Sequence, residues 1–199
     1  MKKPFTPDMR AFQDAFDTRQ LADRVVEREF HQTLNADDRR FVEDAMFFFM
    51  ASTDAEGHPQ CSYKGGPRGF VRVTGPAELA FPLYQGNGLY LSAGNLAQTG
   101  KIGLLFVDFE RQTRLRINGV ARLECDDPLL SEIAAAQQIV RVSIRDIHPN
   151  CPRNVHKMAL IEPSRYTPAQ DSDDVSNAPW TDAYSDVLPE HMLPDDPLG

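Results

Sequence analysis

A mainly β, antiparallel fold, either barrel or sandwich, is predicted for this 199-residue chain by three observations. Short strand-like runs recur from residue 46 to residue 148, few helical patterns separate them, and the clearest run, TRLRINGVARLEC (113–125), alternates residue by residue. A parallel sheet needs a helical crossover between successive strands, whereas antiparallel neighbours need only turns. In the alternating run Leu115, Ile117, Gly119, Ala121 and Leu123 share one side, while Arg114, Arg116, Asn118, Val120 and Arg122 share the other. That strand therefore has an apolar face and a mostly cationic one.

Residues 8–31 carry helical spacing, with Phe12 and Phe16, Leu21 and Val25, and Val26 and Phe30 each four apart, so helices that pack on the body are expected. A further helix is expected to start at Asn35 or Ala36. Asn35 is a good N-cap, Asp37 and Asp38 complement the helix dipole, and Phe41 and Val42 begin its apolar side. MFFFMAS (46–52) reads as a strand buried on both faces, DAEGHPQ turns, and CSY begins the return. Short strands are expected at 69–74, 78–82 and 88–92, then a helical turn near 92–98 and a long hairpin of 101–109 with 113–125. Asp126 or Asp127 before Pro128 signals a helix continuing through LLSEIAAAQQ, and VRVSIRDIH (140–148) reads as the last strand.

Hydrophobic residues make up 41% and charged residues 25% of the chain, enough for a buried core in a soluble protein. No apolar run approaches the length of a membrane span, and MKKPFTPDMRAF lacks the apolar segment of a secretory signal, so a cytoplasmic address and no membrane partner are expected. Cys61, Cys125 and Cys151 are odd in number and widely spaced, which fits free thiols in a reducing compartment. The net charge of -8 is uneven. From Pro163 to Gly199 eight acids face only Arg165, giving -7 there and -1 in the remainder. Nucleic acid is not an expected partner of such a chain. The tail, with Trp180, Tyr184, Val187, Leu188 and Met192, is either a docked arm or a solvated extension.

Three segments carry candidate chemistry. CSYKGGPRGFVRV (61–73) joins two strand-like runs by a linker longer and more cationic than reversal requires. Gly65, Gly66 and Gly69 with Lys64 and Arg68 have the composition of an anion nest, or of a plain mobile loop with solvated bases. In QGNGLYLSAGNL (85–96), Asn87, Ser92 and Asn95 gather among glycines, and Ser92 or Asn95 can start a short helix whose free amides face a phosphate. HPNCPRNVHKM (148–158) offers His148, Cys151 and His156, but no fourth ligand is spaced to match, so no metal site is expected. No nucleophile elbow is present.

Taken in order, FFFMASTDAEGHPQCSYKGGPRGFVRV, the GN and GNL pair, KIGLLFVDFERQTRLRINGVARL and HPNCPRNVHKM resemble the pyridoxamine 5'-phosphate oxidase-like family of FMN-binding split barrels, closest to its KGGPxGFV branch. The resemblance covers about residues 40–160. It implies an antiparallel split β-barrel over 46–162, peripheral N-terminal helices over 1–45 and an acidic, extended tail over 163–199. It also implies a homodimer with FMN in clefts between the subunits. Ser62, Tyr63, Lys64 and Gly65 would line the flavin, Asn87, Ser92 and Asn95 would hold its phosphate or ribityl chain, and Arg116 would reach the same cleft. Cys151, Pro152 and Arg153 would approach the ring from the other subunit. The implied function is a flavin-dependent oxidoreductase acting on a small molecule. The alternative is a non-catalytic module binding flavin, F420 or haem. Members that oxidise vitamin B6 carry an Arg-Lys pair where this chain has SAGNL and an Arg-Leu-x-Pro signature where it has the acidic tail, so that activity is not implied.

Overall fold

The computed structural model describes residues 4–168, 179–189 and 192. Strands β1 (Phe47–Thr53), β2 (Pro59–Gly65), β3 (Arg72–Gly75), β4 (Glu78–Tyr84), β5 (Lys101–Asp108), β6 (Thr113–Glu124) and β7 (Ala136–Asn150) form one antiparallel sheet. Their order is β2-β1-β5-β6-β7-β4-β3. Three strands separate β1 from β4, yet the rings of Phe48 and Phe81 lie 4.9 Å apart, so the sheet curls until its flanks meet. Its edges β2 and β3 share no ladder, which leaves the wall open as a split barrel.

The inner face follows from the two-residue period. Phe48, Met50, Leu79, Phe81, Leu104, Phe106, Ile117 and Val142 are fully or almost fully buried, and Phe48 also packs on Phe70 and Phe106. β1 is not buried on both faces as its composition suggested. Phe48, Met50 and Ser52 point inward, whereas Phe47, Phe49 and Ala51 stand on the outer face, as in an antiparallel sheet with one packed side.

Helix α1 (Pro7–Ala15) and helix α2 (Arg19–Glu29) are separate, because Asp17 adopts a left-handed φ of 52° between them. The expectation that their apolar spacing packs on the body holds for the last pair, Val26, which is buried, and Phe30, whose ring stacks on His148 of β7. Phe12, Phe16, Leu21 and Val25 are exposed. Helix α3 (Ala36–Asp44) starts where Asn35 predicted, with a full capping box: Asn35 accepts from the amides of Asp37 and Asp38, and Asp38 accepts from the Asn35 amide. Its Val42 enters the core.

Two expectations fail at β7 and before helix α4 (Leu91–Thr99). Pro128–Ser131 makes only a single 3₁₀ turn, and β7 begins at Ala136 despite its helix-favouring alanines and glutamines. Ladders on both sides, Tyr84 with Ala136 and Glu124 with Ile139, override that local preference. Residues 88–92 are not a strand, since Gly88 and Tyr90 have φ of 76° and 50° and lead straight into α4. In the tail, Thr181 and Met192 are buried while Tyr184 and Val187 are exposed; Asp171, Asp173, Asp174 and Glu190 lie outside the described residues.

The turn before β7 is held by a buried carboxylate. Asp127, 2% exposed, accepts hydrogen bonds from Nε and Nη2 of Arg141 and from the Leu129 amide, and Arg141 also donates to Glu78. The Arg141 hydrogen bonds hold the Asp127 pKa below its ordinary value. A depressed carboxylate contributes stability above the unfolded pKa and loses it as pH falls through the folded one. Asp127→Asn is therefore expected to cost about 1–3 kcal/mol in urea unfolding at pH 7. The difference from the parent should close in acid; one that persists there would contradict the assignment.

Candidate functional site

The anion-nest reading of Lys64–Gly69 does not survive folding. The Gly66 amide donates to the Met46 carbonyl, the Gly69 amide to the Glu43 carbonyl and Arg68 to the Asp44 carbonyl, so the loop ties down the end of α3 and the start of β1. Gly66 is required for another reason: a Cβ there would lie 2.4–2.7 Å from the Phe70 side chain. The amides are spent inside the protein. Lys64 alone of this group turns elsewhere.

β2 sets that direction. Gln60, Ser62 and Lys64 face inward opposite Ser52, Met50 and Phe48, while Tyr63 faces outward opposite Phe49 and stacks on Phe47 at 5.4 Å. The inward three line a cleft of about 330 Å³ at the split of the barrel. Leu83 and Tyr84 from β4, Gln137 and Gln138 from β7, the 86–90 loop and the first turn of α4 complete it.

Four of the residues singled out in the sequence therefore meet here: Ser62, Lys64, Asn87 and Ser92. The two serine hydroxyls are 3.2 Å apart. Tyr63 and Gly65 do not line the cleft, because one projects to the opposite face and the other sits beyond it against the Tyr63 ring. Asn95 turns to Ser52, donating to its hydroxyl at 3.1 Å, and Arg116 lies exposed on the outer face of β6. Cys151, Pro152 and Arg153 are exposed beyond the end of β7. Neither Ser92 nor Asn95 caps α4. Tyr90 occupies the N-cap without a side-chain bond, and Ser92 follows in the first turn.

Electrostatically the cleft favours an anion. Lys64 has no hydrogen-bond or ion-pair partner among the described residues, and burial pushes its ammonium below the ordinary lysine pKa. An unpaired, partly desolvated cation gains most from an incoming negative charge. The amides of Leu91, Ser92 and Ala93 have no backbone acceptor among the described residues, and they open the positive end of α4 into the same space. Asn87 folds back to accept from the Leu89 amide at 3.2 Å, shaping the loop.

Sequence reasoning missed Gln60, Tyr84, Gln137 and Gln138. The Tyr84 hydroxyl is shielded from solvent with no partner, and burial pushes its pKa up to about 12 against the opposing charge of Arg72. It stays a protonated donor at neutral pH. Only the wrong assignment of β7 concealed the glutamines. The His148, Cys151 and His156 constellation is not brought together as a metal site. Among the described residues the one such cluster is Asp54, Glu56 and His58 in the exposed β1–β2 turn.

With this geometry in view, the model of the pyridoxamine 5'-phosphate oxidase family matches residues 34–160, well over half of the chain. The chain belongs to that family. No curated protein matches this family member. Among solved structures it is similar to HupZ of Group A Streptococcus, with 15% identity, 63% of this chain and 99% of that one covered, and a TM-score of 0.49. It is also similar to an FMN-binding protein from Syntrophomonas wolfei, with 11% identity, coverage of 70% and 96%, and a TM-score of 0.45. A third is HutZ, the haem storage protein of Vibrio cholerae, with 16% identity, coverage of 59% and 95%, and a TM-score of 0.43. Among the described residues no helix is long and apolar enough to cross a membrane.

Proposed function

We propose that this member of the pyridoxamine 5'-phosphate oxidase family binds FMN non-covalently in the cleft and is a flavin-dependent oxidoreductase acting on a small molecule. The observation that carries the reading is the convergence of Lys64, the Ser62 and Ser92 hydroxyls and the free first-turn amides of α4 on one space. A phosphate dianion calls for that donor set. The volume falls within the usual range for small-molecule sites, about 300–1,000 Å³.

The residues present fit the rest of the group as well. Leu83, Leu89, Tyr90 and Leu91 supply apolar and aromatic lining for a planar ring, and Gln60, Gln137, Gln138 and the orphaned Tyr84 hydroxyl supply polar partners at its edges. FMN, when bound, supplies two-electron redox chemistry, and the protein's part is orientation and exclusion of water. Haem storage is less well supported, because the lining contains no histidine, cysteine or methionine to serve as an axial ligand.

A homodimer completes the proposal. Phe47 stacks on Tyr63 and Phe109, and Phe49 meets Phe47 and Tyr63 edge-on, which makes an aromatic cluster on the outer face with Tyr63 62% exposed, and such a surface suits a second copy. Denaturing the purified protein and identifying the released ligand tests the reading. FMN at about one per chain, reduced by NADH or NADPH in stopped flow, is the expected result. Colourless protein that takes up no FMN in a titration would overturn it, and bound FMN that no donor reduces would leave a flavin-binding module in place of an enzyme.

A further inference from the structure

The three lysines among the described residues stand in different settings. Lys101 begins β5 and Lys157 lies beyond β7; both are exposed and neither lines the cleft. Lys64 is half-buried in the cleft wall, with no hydrogen-bond or ion-pair partner among the described residues. Burial holds its amine below the ordinary lysine pKa, which raises the share that carries a free electron pair at neutral pH. A desolvated amine that no acid claims is a nucleophile.

The groups beside it select the electrophile. Ser62 lies two positions away on the same face of β2, about 7 Å along the strand. Its hydroxyl is 3.2 Å from that of Ser92, which sits in the first turn of α4, where the amides of Leu91, Ser92 and Ala93 have no backbone acceptor among the described residues. Hydroxyls and helix amides together suit a phosphate group. No aspartate or glutamate lines the cleft to repel that group or to tie up the amine.

We propose that the cleft of the flavin-free chain is an acylation site, at which a small acyl phosphate transfers its acyl group to Lys64. This rests on the anion-binding part of the FMN reading and adds a means by which the same site is regulated. The donor's phosphate seats on Ser62, Ser92 and the α4 amides, and its carbonyl carbon lies within reach of the Lys64 amine. The uncharged amine attacks that carbon, and the bond from carbon to the bridging phosphate oxygen breaks. Inorganic phosphate leaves with the electron pair and takes up the proton lost by the amine, so an amide forms with nothing oxidised or reduced. The groups that bound the phosphate also stabilise it as it departs. The acylated side chain has lost the positive charge that the cleft offers to FMN, so acylation closes the site to flavin.

Acetyl phosphate added to the flavin-free full chain, with peptide mass spectrometry at each lysine, tests the proposal. Lys64 is expected to be acetylated at least tenfold faster than Lys101 or Lys157. Inorganic phosphate and FMN should each slow Lys64 at least threefold and leave Lys101 unchanged. Ser92→Ala should do the same. Acetic anhydride, an acyl donor without phosphate, should lose most of the preference for Lys64. Equal rates at the three lysines, no protection by inorganic phosphate, or the same preference with acetic anhydride would overturn the proposal. A separate FMN titration of the unmodified chain keeps the two readings apart. FMN bound by a chain whose Lys64 is not selectively acetylated removes this inference alone, whereas selective, phosphate-protected acetylation in a chain that takes up no FMN supports it while the flavin reading fails.

Discussion

Lys64→Ala is expected to raise the FMN dissociation constant about 10- to 100-fold, the effect of removing a charge-assisted contact of about 1.5–3 kcal/mol. Lys64 is the cation of the cleft that has no internal partner, so its deletion leaves no compensating group unpaired and the loss is read directly in binding. Fluorescence titration of the ligand-free protein measures it. The pH dependence follows in sign. Burial lowers the lysine pKa in the free protein, and a bound phosphate opposes that shift, so affinity is full below the free-protein pKa and declines as pH rises through it. Unchanged affinity in Lys64→Ala, or affinity that rises with pH, would remove Lys64 from the site.

Phe48→Ala should be the most damaging core substitution, at about 3–5 kcal/mol in chemical denaturation. Phe48 is fully buried and its ring meets Phe70, Phe81 and Phe106, which come from the KGGP loop's far end, β4 and β5. Those contacts span the curled sheet and carry the closure of the barrel around its core. The same position sits opposite Lys64 in the β1–β2 ladder, so the variant should also lose flavin. The outer-face Phe49→Ala is the comparison. A loss as large as that of Phe48→Ala would show that the two faces of β1 had been assigned the wrong way round.

How much of this was readable beforehand varies with the range of the interactions involved. The Asn35 cap, the β5–β6 hairpin and its alternation depend on residues a few positions apart, and they stand where the pattern put them. Ser62 and Lys64 share the cleft because a strand alternates, and the same rule removes Tyr63 from it. The sequence reading treated Ser62–Gly65 as one block and missed that consequence. Gln137 and Gln138 were hidden by local helix preference that two flanking ladders overrule, and Tyr84 carried no motif at all. The glycine loop looked like a ligand cradle, yet its amides close onto Met46 and Glu43, residues some twenty positions upstream.

Composition and periodicity by themselves determined an antiparallel β protein with a cationic strand face, free cysteines and a short helical segment near residues 92–98. Those properties arise from side-chain alternation, capping and charge within single segments, which need no knowledge of neighbours. Only the tertiary structure decided which amides remained available and that β2, β4, β7 and α4 enclose one cleft. Each of these depends on which strands pair and in what register, and that is settled by burying one shared core rather than by any segment's own preference.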